Sequence, residues 1–310
     1  MIDLSKLQSF IHVAETLSFS KTAKILGVSQ PTISHHIKSL EFDLGLQLFD
    51  RSGHTIQLTE NARILIPWAR KLISQSIELQ NLMASTNEKI VGHLRIACST
   101  TAGKYVLPRL AARFRQQHPG IQISILKCMP ENIVPRLLEG EANLGVVSYE
   151  TGGNGLEIQK FFQDYISLIV PAGHPWASRE FIEPDEILEE PLIIREETSG
   201  TRRVLLSELA KHDISLDELN VFLELGNAEA AVETVAAGFS VTFVSRLATV
   251  CPMRYKQVVE VPVAGLDLQR TIYMVRRGID SPNRAQEVFW SFIHKPSNAD
   301  LLHLAEAPRN

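Results

Sequence analysis

Cysteine is scarce in this chain of 310 residues: Cys98, Cys128 and Cys251 are too few and too scattered for a disulfide framework. They read as thiols acting as small apolar side chains. A redox pair between Cys98 and Cys128, which end neighbouring strands, is the alternative. No apolar run is long enough to span a bilayer, and the first residues lack a charged stretch followed by an apolar one. A cytoplasmic protein is expected. No G-x-G-x-x-G, P-loop, G-x-S-x-G or metal-ligand spacing occurs, so neither an enzyme nor a cofactor or metal site is expected. An excess of positive charge is missing as well. The net charge is −4, with nine Lys/Arg against eight Asp/Glu in residues 1–90 and 22 against 27 in the rest. Wholesale coating of nucleic acid is excluded; binding to DNA would rest on placed contacts and on pairing two copies.

What is present begins with residues 19–41. Ser20 reads as the N-cap of a helix carrying Ala23 and Leu26 inward, and Gly27 sits where that helix stops. Ser29 caps a second helix, Pro31 falls in its first turn, and Ile33, Ile37 and Leu40 form one buried stripe. The opposite face shows Gln30, Ser34, His35 and Lys38, flanked by Thr32 and His36. These hydroxyl, amide and imidazole groups suit base edges or phosphates in a major groove. An ordinary helical hairpin with a solvated face has the same spacing. Residues 45–51 and 55–59 favour the first reading, because they look like two short strands around a Ser52-Gly53-His54 turn. That is a wing, with Arg51 as a phosphate or minor-groove contact. Leu4, Leu7, Phe10 or Ile11, Ala14 and Leu17 supply a first helix behind the pair.

Residues 1–60 thus form a winged helix-turn-helix. Residues 61–87 follow as a long helix with Leu65, Trp68, Leu72, Leu79 and Leu82 on heptad positions, a dimerisation seam. A helix packed on its own domain is the alternative. Pro67 inside it predicts a bend or a late start. Residues 88–92 read as a hinge.

From residue 93 strands and helices alternate: strands at 94–98, 121–125 and 144–147 with helices at 103–117 and 131–139. A second series follows, with strands near 165–170, 192–194, 221–224 and 241–244 and helices near 201–211 and 228–237. A strand at 270–275 and a helix at 283–294 then return to the first lobe. The alternation predicts a mainly parallel sheet in two lobes, about 93–161 with 268–295 and about 162–267, enclosing a cleft for a small ligand. Residues 296–310 read as a frayed tail.

In this order, Ser18-Phe19-Ser20 before Ala23, Ser29-Gln30-Pro31-Thr32-Ile33-Ser34 running to Glu41, Leu44-Gly45, Leu48-Phe49-Asp50-Arg51 and Leu58-Thr59-Glu60 resemble the LysR-type transcriptional regulators along nearly the whole chain. The resemblance implies an α/β fold with an N-terminal winged helix-turn-helix, a long linker helix and a two-lobed, periplasmic-binding-protein-like effector domain. It further implies a ligand-responsive regulator that binds double-stranded DNA as a homodimer or homotetramer and meets RNA polymerase. DNA contacts fall on Ser29, Gln30, Pro31, Thr32, Ser34, His35, His36, Lys38 and Arg51. Two departures stand out: Ala62 replaces a usual glycine, and His35-His36 replace a more basic or amide pair, which predicts weaker salt dependence and some pH dependence. The run from Thr101 to Pro108 resembles members governing carbon fixation or sulfur and nitrogen assimilation.

The effector contacts implied by the resemblance are Ser99, Thr100 and Thr101 at one helix start and Glu197, Thr198, Ser199, Thr201 and Arg202 at another. Ser148, Tyr149, Asn227 and Thr242 lie between them. Hydroxyls before a helix usually only cap it. Two such seats on opposing lobes, one carrying Arg202 as a bidentate clamp, predict an anionic metabolite. A constitutive repressor with an unresponsive cleft, or a solute-binding protein or enzyme with an accessory domain, are the competing readings.

Overall fold

The computed structural model describes the chain apart from residues 1, 51–55, 85–89, 152, 154, 279–283 and 307–310; of residues 78, 81, 82, 84, 100 and 102 it describes the backbone alone. Three helices open it, α1 (Leu4–Thr16), α2 (Phe19–Leu26) and α3 (Gln30–Leu44). Ser18 caps α2 in place of the expected Ser20. Its backbone is extended and its Oγ accepts from Lys21 N, whereas Ser20 already lies inside the first turn. Gly27 and Gly45 end α2 and α3 at φ +66° and +68°, a conformation that a β-carbon disfavours. Between them Ser29 Oγ accepts from Thr32 N, and Pro31 occupies the first turn of α3.

Leu7, Phe10, Val13, Ile33, Ile37 and Leu40 share the core of this head. Phe49 joins it through edge contacts to Phe10 and Phe19. The wing strands β1 (Phe49–Asp50) and β2 (Gln57–Leu58) are shorter than the expected pair. Residues before Phe49 are held differently, since Leu48 N and Phe49 N both donate to the Glu41 carboxylate. Arg51 and the Ser52-Gly53-His54 turn lie outside the described residues.

Thr59 Oγ1 accepts from Ala62 N at the start of α4 (Glu60–Ala84). Pro67 lies inside this helix, which runs from Glu60, so of the expected bend or late start the late start does not occur. Ala62 and Ala69 are fully buried on the head, so the small side chains of α4 set its close packing there.

The remainder is built on one continuous sheet. Strands β3 (Gly92–Cys98), β4 (Ile121–Lys127) and β5 (Leu144–Val147) carry α5 (Thr100–Tyr105), α6 (Leu107–Gln117) and α7 (Ile133–Leu138). The helix expected over 103–117 is thus two, with Pro108 opening α6 where its missing N–H costs nothing. A 16-residue strand β6 (Leu156–Pro171) then leads to β7 (Leu192–Arg195), α8 (Gly200–Leu209), β8 (Val221–Leu225), α9 (Ala228–Ala236), β9 (Val241–Ser245), α10 (Val250–Arg254) and β10 (Val258–Val261). The chain returns through β11 (Gln269–Arg277) to α11 (Arg284–Phe292) and α12 (Ala299–Leu302).

The strand order is β4-β3-β5-β11-β6-β9-β7-β8, with β10 on β6. Parallel pairing occurs within each lobe, β3 with β4 and β5, β7 with β8 and β9. The two connecting strands are antiparallel to their neighbours. Residues 156–165 of β6 pair with β11 and residues 166–169 with β9, so one strand belongs to both lobes. The short strand expected at 165–170 is the far half of it. Lobe cores are separate: Leu94, Ile96, Phe114, Met274, Phe289 and Phe292 in the first, Leu168, Trp176, Leu192, Leu205 and Phe243 in the second.

The C-terminal segment is not frayed up to residue 306. Asn298, Leu301 and Ala305 are buried, Arg113 holds Asp300 with two 2.6 Å bonds, and Arg246 donates to Ala305 O at 3.3 Å. Among the described residues no helix is long and apolar enough to cross a membrane.

Candidate functional sites on the head and in the cleft

On α3, Gln30, Pro31, His35 and Lys38 are exposed together, while Thr32 and Ser34 are half-buried. Ser29 is turned to its capping role and also shares a 2.8 Å hydroxyl contact with Thr32. His36 leaves the outward face. Its Nδ1 lies 2.8 Å from Ser9 Oγ, which ties α3 to α1 and makes this imidazole a packing group. Only His35 of the pair stays available to a groove. Phe42, one turn beyond Lys38, is 86% exposed and escaped the sequence reading, which followed polar side chains alone.

On α4, Trp68, Leu72 and Leu79 are exposed, with Ile64, Ile77 and Met83 beside them. Leu65 instead turns into the head core, because it follows Ala62 on the packed side. The side chain of Leu82 lies outside the described residues.

Between the lobes is a cavity of about 310 Å³. Ser99 and Thr101 at the start of α5, Ser199 and Thr201 at the start of α8, and Ser148 just after β5 line it, brought from both lobes. Thr100 contributes backbone only to the described structure. Thr198 precedes the wall with its Oγ1 buried and unpartnered. Several expected residues face elsewhere, each for a definable reason. Arg202 Nη1 donates to Arg195 O at 3.0 Å and to Glu224 at 2.8 Å, so its charge is spent on the outer edge of lobe two. Glu197 is exposed outside the wall. Asn227 Oδ1 accepts from Glu229 N and Ala230 N as the cap of α9. Thr242 is fully buried and donates to Ile193 O. Tyr149 sits at the rim, its hydroxyl 3.5 Å from Pro130 O and its ring 5.5 Å from the Arg203 guanidinium of the other lobe.

The cation in the cavity is Arg270, on connecting strand β11. Its Nε and Nη2 donate to Asp164 Oδ2 at 2.9 and 2.7 Å, and Ser245 Oγ donates to Asp164 Oδ1 at 2.5 Å. Arg270 Nη1 has no partner among the described residues and points to where α8 begins: a β-carbon at Gly200 would lie 2.7 Å from it and collide with Ser148 Oγ. Glycine at this position leaves Ser148 Oγ and Arg270 Nη1 the space they occupy. Strand alternation held the missing signal, since Arg270 shares a face with Ile272, and Asp164 with Phe162, and all four line the cavity. A second wall pair, Arg195 with Glu196 at 2.8 and 2.9 Å, is internally neutral. With Lys127 at the mouth, the lining carries three cationic side chains against two carboxylates.

Cys128 also lines the cavity, but Cys98 packs in the opposite layer of lobe one. The redox pair is disfavoured by that placement across the sheet. Burial pushes the Cys98 thiol up to about 12 and raises Cys128 too, so neither is a ready thiolate. Behind the cavity, Glu229 of lobe two takes Lys104 and the Tyr105 hydroxyl of lobe one, each at 2.9 Å.

Comparison with known proteins agrees with this architecture. Residues 4–63 match the bacterial regulatory helix-turn-helix protein, lysR family, and residues 87–296 match the LysR substrate binding domain. An uncharacterized HTH-type transcriptional regulator of Methanocaldococcus jannaschii is 33% identical over 94% of this chain and 98% of its own. A probable RuBisCO transcriptional regulator of Trichormus variabilis is 27% identical over 98% and 92%. Among solved structures, full-length CbnR complexed with its target DNA superimposes with TM-score 0.70 at 22% identity, covering 94% of this chain and 98% of that one. The Synechocystis CcmR regulatory domain in complex with 2-PG gives 0.59 at 28% identity over 65% and 95%. With both of its modules matched end to end, the chain belongs to the LysR family of ligand-responsive, DNA-binding transcriptional regulators.

Proposed function

We propose that this regulator senses a small anionic metabolite held between its lobes, and that Arg270 is the residue that reads the charge. One observation carries the reading: Asp164 and Ser245 fix the guanidinium so that Nη1 is aimed past Ser148 at the start of α8. An anion placed there meets a charge-assisted donor, two hydroxyl-bearing helix starts and the positive end of a ten-residue helix. The apolar wall of Val146, Phe162 and Ile272 leaves room for a short carbon body. The CcmR regulatory domain was solved in complex with 2-PG, which makes 2-PG a ligand to test here.

DNA is read by Gln30, Ser34, His35 and Lys38 on α3, in the cytoplasm, and occupancy of the cleft alters contact with RNA polymerase. Self-association uses the outer face of α4, where Trp68, Leu72 and Leu79 are exposed. Strand β8 ends the sheet with Val221, Phe222 and Leu223 all exposed, an edge that wants a second copy. Two separate apolar surfaces of this kind fit a tetramer.

A thermal-shift titration of the full-length protein tests the effector class. Phosphate, 2-PG and small dicarboxylates are compared with glycerol as the neutral control. The anions raise the melting temperature in wild type and lose that effect in Ser148→Ala and Thr101→Ala. Equal responses to glycerol, or unchanged responses in both variants, would place the ligand elsewhere.

A further inference from the structure

The DNA-reading head meets lobe one at a charged junction. Arg70, on α4, bonds Glu15 of α1 at 3.1 Å and reaches across to Glu139 at 3.7 Å and to Glu141. Those two carboxylates belong to the turn after α7. Arg136 adds a 3.6 Å contact to Glu141. At the centre of the turn Gly140 has φ +74°, and a β-carbon there would lie 3.3 Å from Ser74 Cβ, so the lobe rests on the linker helix itself. Arg95 Nη2 donates to Gly140 O from strand β3 and ties the turn to the sheet.

The other end of the same short segment is in the cleft. Cys128, Met129 and Pro130 line the cavity, the 3-10 turn Pro130–Asn132 follows, and α7 runs directly from it to the clamp. This rod has little give. Ile133 and Leu137 are buried, and β5 approaches so closely at Gly145 that a β-carbon would lie 2.6 Å from Ile133 and 3.0 Å from Leu137. Tightly packed elements of this kind shift as units instead of deforming.

We propose that the segment from Cys128 to Glu141 is the connecting rod between cleft and head, and that Arg70 is the joint at which the head feels its position. The proposal rests on the cleft being the effector site. A charge-neutralising change in the joint leaves the cleft and α3 in place and removes the linkage.

A double-mutant cycle without any ligand tests it. Gly200→Ala brings a β-carbon against Ser148 Oγ and to 2.7 Å from Arg270 Nη1 and so perturbs the cleft from inside, and Glu141→Gln weakens the joint. Affinity is measured by fluorescence anisotropy on a duplex that the wild-type protein has selected from a random-sequence library. Gly200→Ala is expected to shift the Kd about fivefold or more in the wild-type background and by less than about twofold beside Glu141→Gln. Arg70→Gln gives the same loss of coupling. An undiminished shift beside Glu141→Gln overturns the joint, and no shift in the wild-type background overturns the rod; the cleft reading stands or falls separately, on the thermal-shift titration. Should the charge variants melt early, Arg70→Lys replaces them, since it keeps the charge but lacks the fork that reaches Glu15 and Glu141 together. The response to Gly200→Ala then falls as it does beside Glu141→Gln, and an undiminished response refutes the joint.

Discussion

Asp164 is 1% exposed and is bonded by Arg270 and Ser245. Arg270→Ala leaves a buried carboxylate without its cation and is expected to cost about 3–5 kcal/mol in urea unfolding. Arg270→Gln combined with Asp164→Asn removes both charges and recovers most of that loss, while abolishing the response to anions. Cys98 gives a pH-dependent prediction. Its thiol titrates near 12 in the folded chain against an ordinary 9.0, so the folded state favours the neutral form. Stability from this group is full below pH 9 and declines as pH rises toward 12. At pH 10.5 the loss is about 2 kcal/mol, seen as a steeper alkaline fall in melting temperature for wild type than for Cys98→Ala. In native protein at pH 8, a thiol reagent should label the exposed Cys251 first and Cys98 only on unfolding.

At the scale of elements, α4 carries the proposed meeting face between copies. Its inner side, with Ala62, Leu65 and Ala69, belongs to the head, and its outer side carries Trp68, Leu72 and Leu79 into solvent. Leu72→Glu with Leu79→Glu should move the mass measured by light scattering toward the monomer without lowering helix content. A helix that served only its own domain would leave the mass unchanged. Periodicity made this helix legible but assigned all five of its heptad residues to one seam. Leu65 shows why that overreaches: an α-helix has two sides, and which one a neighbour covers is fixed by packing. The same limit applied to α3, where His36 and His35 are adjacent in sequence yet one packs on Ser9 and the other faces outward.

For the molecule as a whole, the C-terminal segment acts as a strap across both lobes. Leu301 and Ala305 lie in the first lobe's core, and Arg246 of the second grips the backbone of Ala305. Leu301→Ala is expected to cost about 3 kcal/mol by chemical denaturation. A tail that merely hung free would cost nothing. Its sequence carries too few apolar residues to announce a helix, and contacts from distant parts of the chain, such as Arg113 with Asp300 and Arg246 with Ala305, give it a place.

Local chemistry in the sequence determined the head almost completely: caps at Ser29 and Thr59, glycine stops at Gly27 and Gly45, and a buried stripe of Ile33, Ile37 and Leu40 act within a few residues of one another. It likewise determined two α/β lobes and helix starts rich in hydroxyls. Tertiary structure alone decided which charge faces the cleft. Arg202 and Arg270 are equally basic in sequence, yet Glu224 takes the first to the edge and Asp164 holds the second at the floor. The difference arises because a long side chain follows the nearest counter-charge, and that neighbour is supplied by strands that meet only when the chain has crossed between the lobes and returned.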